Sequence, residues 1–131
     1  MSLPFQLSNP SSIHAPLGYS HLAVVTGGEL ILIAGQVALD AKGNLVGAGD
    51  FAAQTTQVFE NVIAALEAAG AGPRNIVKLT TFVTDMTQIA AFRQIRDQFL
   101  DPAHPPASTL VQVARLVHPE WMIEIEAVAV R

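Results

Sequence analysis

The order in which two kinds of periodicity alternate along this chain constrains its fold more than any single motif does. Strand-like runs come first, Tyr19–Thr26 (YSHLAVVT) and Leu30–Gly35 (LILIAG), separated by Gly27-Gly28-Glu29. Glycine reaches positive φ without steric cost, so this spacing predicts a hairpin. Apolar residues then recur at Phe51, Val58, Phe59, Val62, Ile63 and Leu66, one stripe of a helix. Asp50 is placed to cap it, and Gly70-Ala71-Gly72-Pro73 to end it. Ile76–Thr84 (IVKLTTFVT) alternates as a strand does, with Val77, Leu79, Thr81 and Val83 on one face. A second helix is predicted from Asp85, with Gln88 spaced for a capping box and Ile89, Phe92, Ile95 and Phe99 as its stripe. Asp101-Pro102 stops it, and two strands follow, Ser108–Val113 and Met122–Val130. Residues 1–18, rich in proline and serine and without a period, read as an extended lead-in.

The resulting β-β-α-β-α-β-β order predicts an α/β fold, a mixed sheet with two helices packed on one face. Right-handed crossovers put both helices on the same side, and two helices cannot cover both faces of a five- or six-stranded sheet. The bare face is expected to carry Phe82, Leu110, Val128 and Val130 among polar residues. An apolar face of that size is rarely left wet, so a homo-oligomer is expected to bury it.

Composition removes several function classes. At 131 residues one domain is expected; half the residues are hydrophobic and 14% are charged, which argues against disorder. Net charge is −4, and the seven Lys and Arg form no run, so no nucleic-acid partner is expected. The absence of cysteine excludes disulfides, thiolate nucleophiles and Cys-based metal sites. No basic, apolar leader opens the chain, and Gly, Asp or Pro interrupts every apolar stretch before it could span a bilayer. The expectation is a cytoplasmic protein with no membrane partner.

Charge inside the last strand is the first hint of a site. Glu124 and Glu126 alternate with apolar residues, so both point to one face about 6.5–7 Å apart. Such a pair suits acid–base work or the orientation of a water, and equally a solvated strand face. His14, His21, His104 and His118 show no metal-ligand spacing, so neither a metal nor a cofactor is expected. Gly43, Gly47 and Gly49 precede a helix without a phosphate-loop lysine, and read as loop flexibility. Arg96 is expected to pair with helix neighbours on a solvated face. Tyr19 opens the first strand, where its phenol can reach a pocket or close the sheet edge, and Trp121 reads as core.

Several short stretches, in order and over nearly the whole chain, carry a resemblance. They are Gly18-Tyr19-Ser20, Ala34-Gly35-Gln36 with Leu39-Asp40, Val77-Lys78-Leu79-Thr80 with Val83-Thr84-Asp85, Pro106-Ala107, Val113-Ala114-Arg115-Leu116 and Ile123-Glu124-Ile125-Glu126-Ala127. Together they resemble the RidA/YjgF family from Ala15 to Arg131. The resemblance implies a chorismate-mutase-like fold over residues 1–131 as a single domain, assembled as a homotrimer with ligand clefts at subunit interfaces. Active members hydrolyse 2-enamino or 2-imino acids to 2-oxo acids and ammonia. By position, the resemblance makes Glu124 the catalytic, water-positioning residue and Tyr19 a cleft residue, with Gly35 bordering the cleft.

One part of the family pattern does not carry over. The Pro-Ala-Arg-Ser run appears here as Pro106-Ala107-Ser108-Thr109, so Ser108 stands where the resemblance implies a substrate-clamping Arg. Arg93 takes a position often held by Asn, and Leu110 one that is commonly polar. A charge-assisted pair in a desolvated cleft contributes on the order of 2–5 kcal/mol, so its loss argues against ordinary 2-imino acid hydrolysis. Three expectations follow. The first is a trimer whose clefts bind or transform another small-molecule metabolite. The second is an imine deaminase in which Arg93 substitutes for the clamp, and the third, disfavoured by charge, is an endoribonuclease or translation inhibitor.

Overall fold

Register in one four-stranded sheet decides which side chains meet. The computed structural model describes residues 2–131. Its elements are β1 (Phe5–Ser8), β2 (Leu22–Val25), β3 (Leu30–Gln36), α1 (Phe51–Ala68), β4 (Ile76–Val83), α2 (Ile89–Phe99), β5 (Ala107–Gln112) and β6 (Ile123–Val130). The main sheet runs β3-β6-β4-β5, with β6 antiparallel to β3 and β4, and β5 parallel to β4. Parallel pairing of β4 and β5 requires a crossover, which α2 supplies. The result is the expected mixed α/β sheet with two helices on one face.

The helices form where the stripes placed them. Asp50 accepts a hydrogen bond from the Ala53 N–H at 3.1 Å, satisfying one orphan donor of the first turn. After α1, Gly70 turns left-handed at φ +71°, and the Ala71 N–H reaches back to the Leu66 carbonyl at 2.9 Å. Val58, Phe59, Val62 and Leu66 pack in one buried core with Leu79, Ile123, Ile125 and Ala127 of the sheet. The Phe59 ring stacks on Phe99 of α2 at 5.2 Å, so the two helices are fastened to each other as well as to the sheet.

At α2 the start differs from the expected capping box. Asp85 instead caps a single 3₁₀ turn, Met86–Gln88, accepting from the Thr87 hydroxyl at 2.6 Å and the Thr87 N–H at 3.0 Å. Those bonds, the hydroxyl first, hold the Asp85 carboxyl below the ordinary Asp value. A depressed pKa contributes stability above the ordinary carboxylate range and loses it as pH falls through the folded value. The wild type should therefore lose part of its thermal stability on the acid side of that range that Asp85→Asn does not lose. Melting temperatures of both proteins across that range test this; parallel curves would refute it.

Several expectations are corrected. The Gly27-Gly28-Glu29 segment does not close a hairpin: β2 pairs with β1, from Phe5↔Val25 to Ser8↔Leu22, and β3 pairs with β6. The lead-in therefore contains a strand, and the sheet divides into four strands and two. Leu110 is not on the bare face. It pairs with Thr81, which is fully buried on the helix side, so Leu110 faces the helices. Val130 is buried beneath β1 in a second small core with Phe5 and Val77. Val77 reaches that core because the β4–β6 register slips between Ile76 and Lys78, and a bulge turns one residue to the opposite face.

What stays uncovered is a mixed face. Leu32, Lys78, Thr80, Phe82, Val111 and Val128 share it by register, and Leu32 is 72% exposed. Lys78 donates to the Thr109 hydroxyl across it at 2.7 Å. Among the described residues no helix is long and apolar enough to cross a membrane.

Candidate functional site

Tyr19, Arg93, Ser108 and Leu110 come together. They line one cleft of about 410 Å³ between α2, β5 and the segment before β2, with Leu17, Ile89, Phe92 and Arg96. Ser108 pairs with the buried Leu79, and Leu110 with Thr81, so both side chains look toward α2. Tyr19 is fixed beside β5 because the next residue is tied to the strand's start. The Ser20 N–H donates to the Pro106 carbonyl at 3.0 Å and its hydroxyl to the Pro105 carbonyl at 2.6 Å.

Two histidines hold the phenol from the rim. His14 Nε2 lies 3.0 Å from the Tyr19 hydroxyl, and His21 Nε2 lies 2.7 Å from the His14 carbonyl. The His21 ring meets Tyr19 edge-on at 5.4 Å and His14 edge-on at 4.9 Å. Nothing in the spacing of these residues revealed the cluster, because the chain folds back on itself there. Among the described residues no three His, Asp or Glu side chains converge as metal ligands.

Arg96 is the cleft residue that the sequence reading missed. It was expected on a solvated face, yet its side chain is only 15% exposed. Its Nε donates to Asp97 Oδ1 at 3.0 Å, and its guanidinium carbon lies 6.0 Å from the centre of the Phe92 ring. A signal was present: Arg96 follows Ile89 by seven and Phe92 by four, which continues the apolar stripe. The cleft lining thus holds two guanidiniums and no carboxylate.

Glu124 and Gly35 are elsewhere in the same chain. Glu124 pairs with Phe82 and shares its face, the uncovered one. Ser108 lies in the row Ser108–Leu79–Ala127, three residues along the strands and on the opposite face. Three residues of strand are roughly 10 Å. Gly35 sits in a bulge of β3 between Ile33 and Gln36, and a Cβ there would collide with the Glu124 carboxylate. Only glycine leaves room for Glu124 to lie against the β3 backbone. Glu124 is half-buried and Glu126 exposed, and the ion pairs of the described residues, Arg96–Asp97, His104–Asp101 and Arg131–Glu29, involve neither. Trp121 is half-buried just before β6, against the His118 ring.

A mixed four-stranded sheet under two helices, with a cleft walled by α2 and an edge strand, defines an α/β fold with close counterparts. A Rid-family protein of unknown function from Yersinia pestis superposes with a TM-score of 0.91 and is 38% identical, covering 98% of this chain and all of that one. RidA from an Antarctic Psychrobacter gives a TM-score of 0.72 at 30% identity, over 99% of this chain and all of its own. The family model described as endoribonuclease L-PSP matches residues 10–131. A RutC family protein of Synechocystis is 41% identical over 117 residues, 88% of each chain. A 2-iminobutanoate/2-iminopropanoate deaminase of Salmonella typhimurium is 41% identical over 106 residues, 79% of this chain and 81% of that protein. The chain belongs to the RidA/YjgF family.

Proposed function

We propose that this chain acts as a homotrimer whose inter-subunit clefts bind or transform a small anionic metabolite, with ordinary 2-imino acid hydrolysis weakened by Ser108. The observation that carries the reading is the division of the site. Tyr19, Arg93, Ser108 and Leu110 line a cation-bearing cleft on one face, while Glu124 and Gly35 occupy the uncovered face. One chain alone does not unite them, so a site that uses both draws on two copies. The exposed Leu32 and its neighbours supply apolar area for that packing. The number three rests on the family resemblance. Net charge of −4 and the lack of a basic run weigh against RNA as the substrate, whatever the family description.

Two measurements test this. Light scattering should give three times the chain mass, and a monomer would end the reading. An assay that generates 2-iminopropanoate and follows pyruvate release should show little acceleration by the wild type. Ser108→Arg should raise that acceleration on the order of 30-fold, from a charged pair of about 2 kcal/mol at about 1.4 kcal/mol per tenfold. An unchanged rate would mean that the position of Ser108 does not limit the chemistry.

The second reading is a working imine deaminase with Arg93 as the clamp, favoured by Arg93 lining the same cleft as Ser108 and by the Salmonella relative. Its signature is strong wild-type acceleration that Arg93→Gln abolishes.

A further inference from the structure

The Tyr19 hydroxyl has one hydrogen-bond partner among the described residues, and that partner can change charge. His14 Nε2 lies 3.0 Å from it. The histidine is itself held in place. His21 Nε2 lies 2.7 Å from the His14 carbonyl, and because a carbonyl only accepts, that nitrogen carries a proton and donates. The His21 N–H in turn donates to Asn9 Oδ1 at 2.7 Å, which ties the group to the segment before it. With the His21 ring edge-on to both Tyr19 and His14, three rings brace one another at the rim of the cleft.

A phenol hydroxyl can give one proton and can also accept. Toward neutral His14 the better arrangement is O–H···N, because the phenol is the more acidic partner and the bare ring nitrogen the more basic. The phenol's lone pairs are then what Tyr19 offers to anything else. Once His14 is protonated, both of its ring nitrogens are donors. Nε2–H must then donate to the phenol oxygen, and the phenol proton is free to turn away. Tyr19 lines the cleft, so the proton becomes available there. Histidine is the side chain that ordinarily changes charge between about pH 5 and 8.

We infer that His14 is a positioning residue that decides whether Tyr19 offers the cleft a hydrogen-bond acceptor or a donor, and that acid conditions favour a ligand that accepts. The charged and titratable groups set around the pair are His21 from the same segment and Arg93 and Arg96 from α2; β5 lines the cleft with Ser108, Thr109 and Leu110 and brings none. The first half of the inference concerns the protein alone. The second half rests on the anion-cleft reading given above.

The chain has a single tyrosine, so the Raman Fermi doublet of tyrosine reports Tyr19 and nothing else. Its intensity ratio rises as the hydroxyl donates less and accepts more. In the wild type the ratio should rise between about pH 8 and pH 5.5, either side of the range in which histidines titrate. In His14→Phe, which keeps a ring at an exposed position and removes both nitrogens, it should stay level. Calorimetric titration with nitrate, a small accepting anion, should show binding roughly fivefold tighter at the lower pH beyond any change seen in His14→Phe, the worth of one net hydrogen bond. Tyr19→Phe lacks the hydroxyl and should show the same reduced pH response as His14→Phe. A doublet that is level in the wild type, or that moves equally in His14→Phe, overturns the assignment of His14. A doublet that moves while nitrate responds to pH equally in all three proteins overturns the effect on the ligand. Nitrate that binds the wild type at neither pH overturns the anion-cleft reading and the second half with it, while the doublet still decides the first.

Discussion

Phe59→Ala is expected to lower folding stability by about 3–5 kcal/mol, the range for removing a large side chain from a core that cannot collapse into the space. Phe59 is 1% exposed, and its ring lies 5.2 Å from Phe99 and 6.1 Å from Phe92. It is therefore the main apolar tie between α1 and α2. Since α2 carries both Arg93 and Arg96, the loss should spread beyond stability. At temperatures where the variant is still folded, anion binding in the cleft should weaken as α2 shifts. Chemical denaturation checks the first part, as a lower midpoint at unchanged slope. A loss below about 1 kcal/mol would mean that the helices are held mainly by the sheet, because a fully buried Phe normally costs several times that.

Periodicity made the helices legible, and register hid the site. The stripes of α1 and α2 repeat within a single element, so each could be read without knowing what it packs against. Strand faces are another matter. Val77 looked like a helix-side residue because alternation was counted through Ile76–Thr84, and one bulge moved it to the second core. Leu110 was assigned to the bare face because β5 was not tied to a partner; its pairing with the buried Thr81 decides otherwise. In a strand a shift of one residue reverses every face downstream, so side assignments need the partner as well as the run. The same limit explains the hairpin. Gly27 and Gly28 gave a turn signal, but β3 found its ladder on β6, nearly a hundred residues away in sequence.

Motifs named candidate site residues and left their geometry open. Family motifs brought Tyr19, Gly35, Ser108 and Glu124 forward as one group, and the fold divides that group between two faces of a sheet. Motif matching passes over a residue such as Arg96, whose place in the cleft comes from its position on α2. What it needed was the observation that a charge falls on the apolar stripe of a helix. Its neighbours then show why: Gly18 leaves space for the guanidinium, and Ser108 opposite it is small. A short side chain at 108 and an arginine on α2 are compatible occupants of one cleft.

Gln54→Leu is expected to cost about 3–5 kcal/mol even though leucine is the better helix former and fills nearly the same space. Gln54 is fully buried on the stripe of α1 between Phe51 and Val58. Its amide nitrogen donates to the Gly47 carbonyl at 3.1 Å and the Glu120 carbonyl at 3.0 Å, and its oxygen accepts from the Met122 N–H at 2.9 Å. One side chain thereby satisfies three backbone groups and ties the loop before α1 to the start of β6. Leucine would leave the Glu120 carbonyl and the Met122 N–H without a partner, while the Gly47 carbonyl keeps the Asp50 N–H at 2.9 Å; each buried orphan costs about 1–3 kcal/mol unless water reaches it. The effect should also be directional. Residues Met122 to Glu124 are the ones released, so hydrogen exchange at the Met122 and Glu124 amides should rise more than at Ala127 or Ala129. Uniform acceleration along β6 would show that the substitution loosens the whole core, and that Gln54 does not specifically position the strand end bearing Glu124.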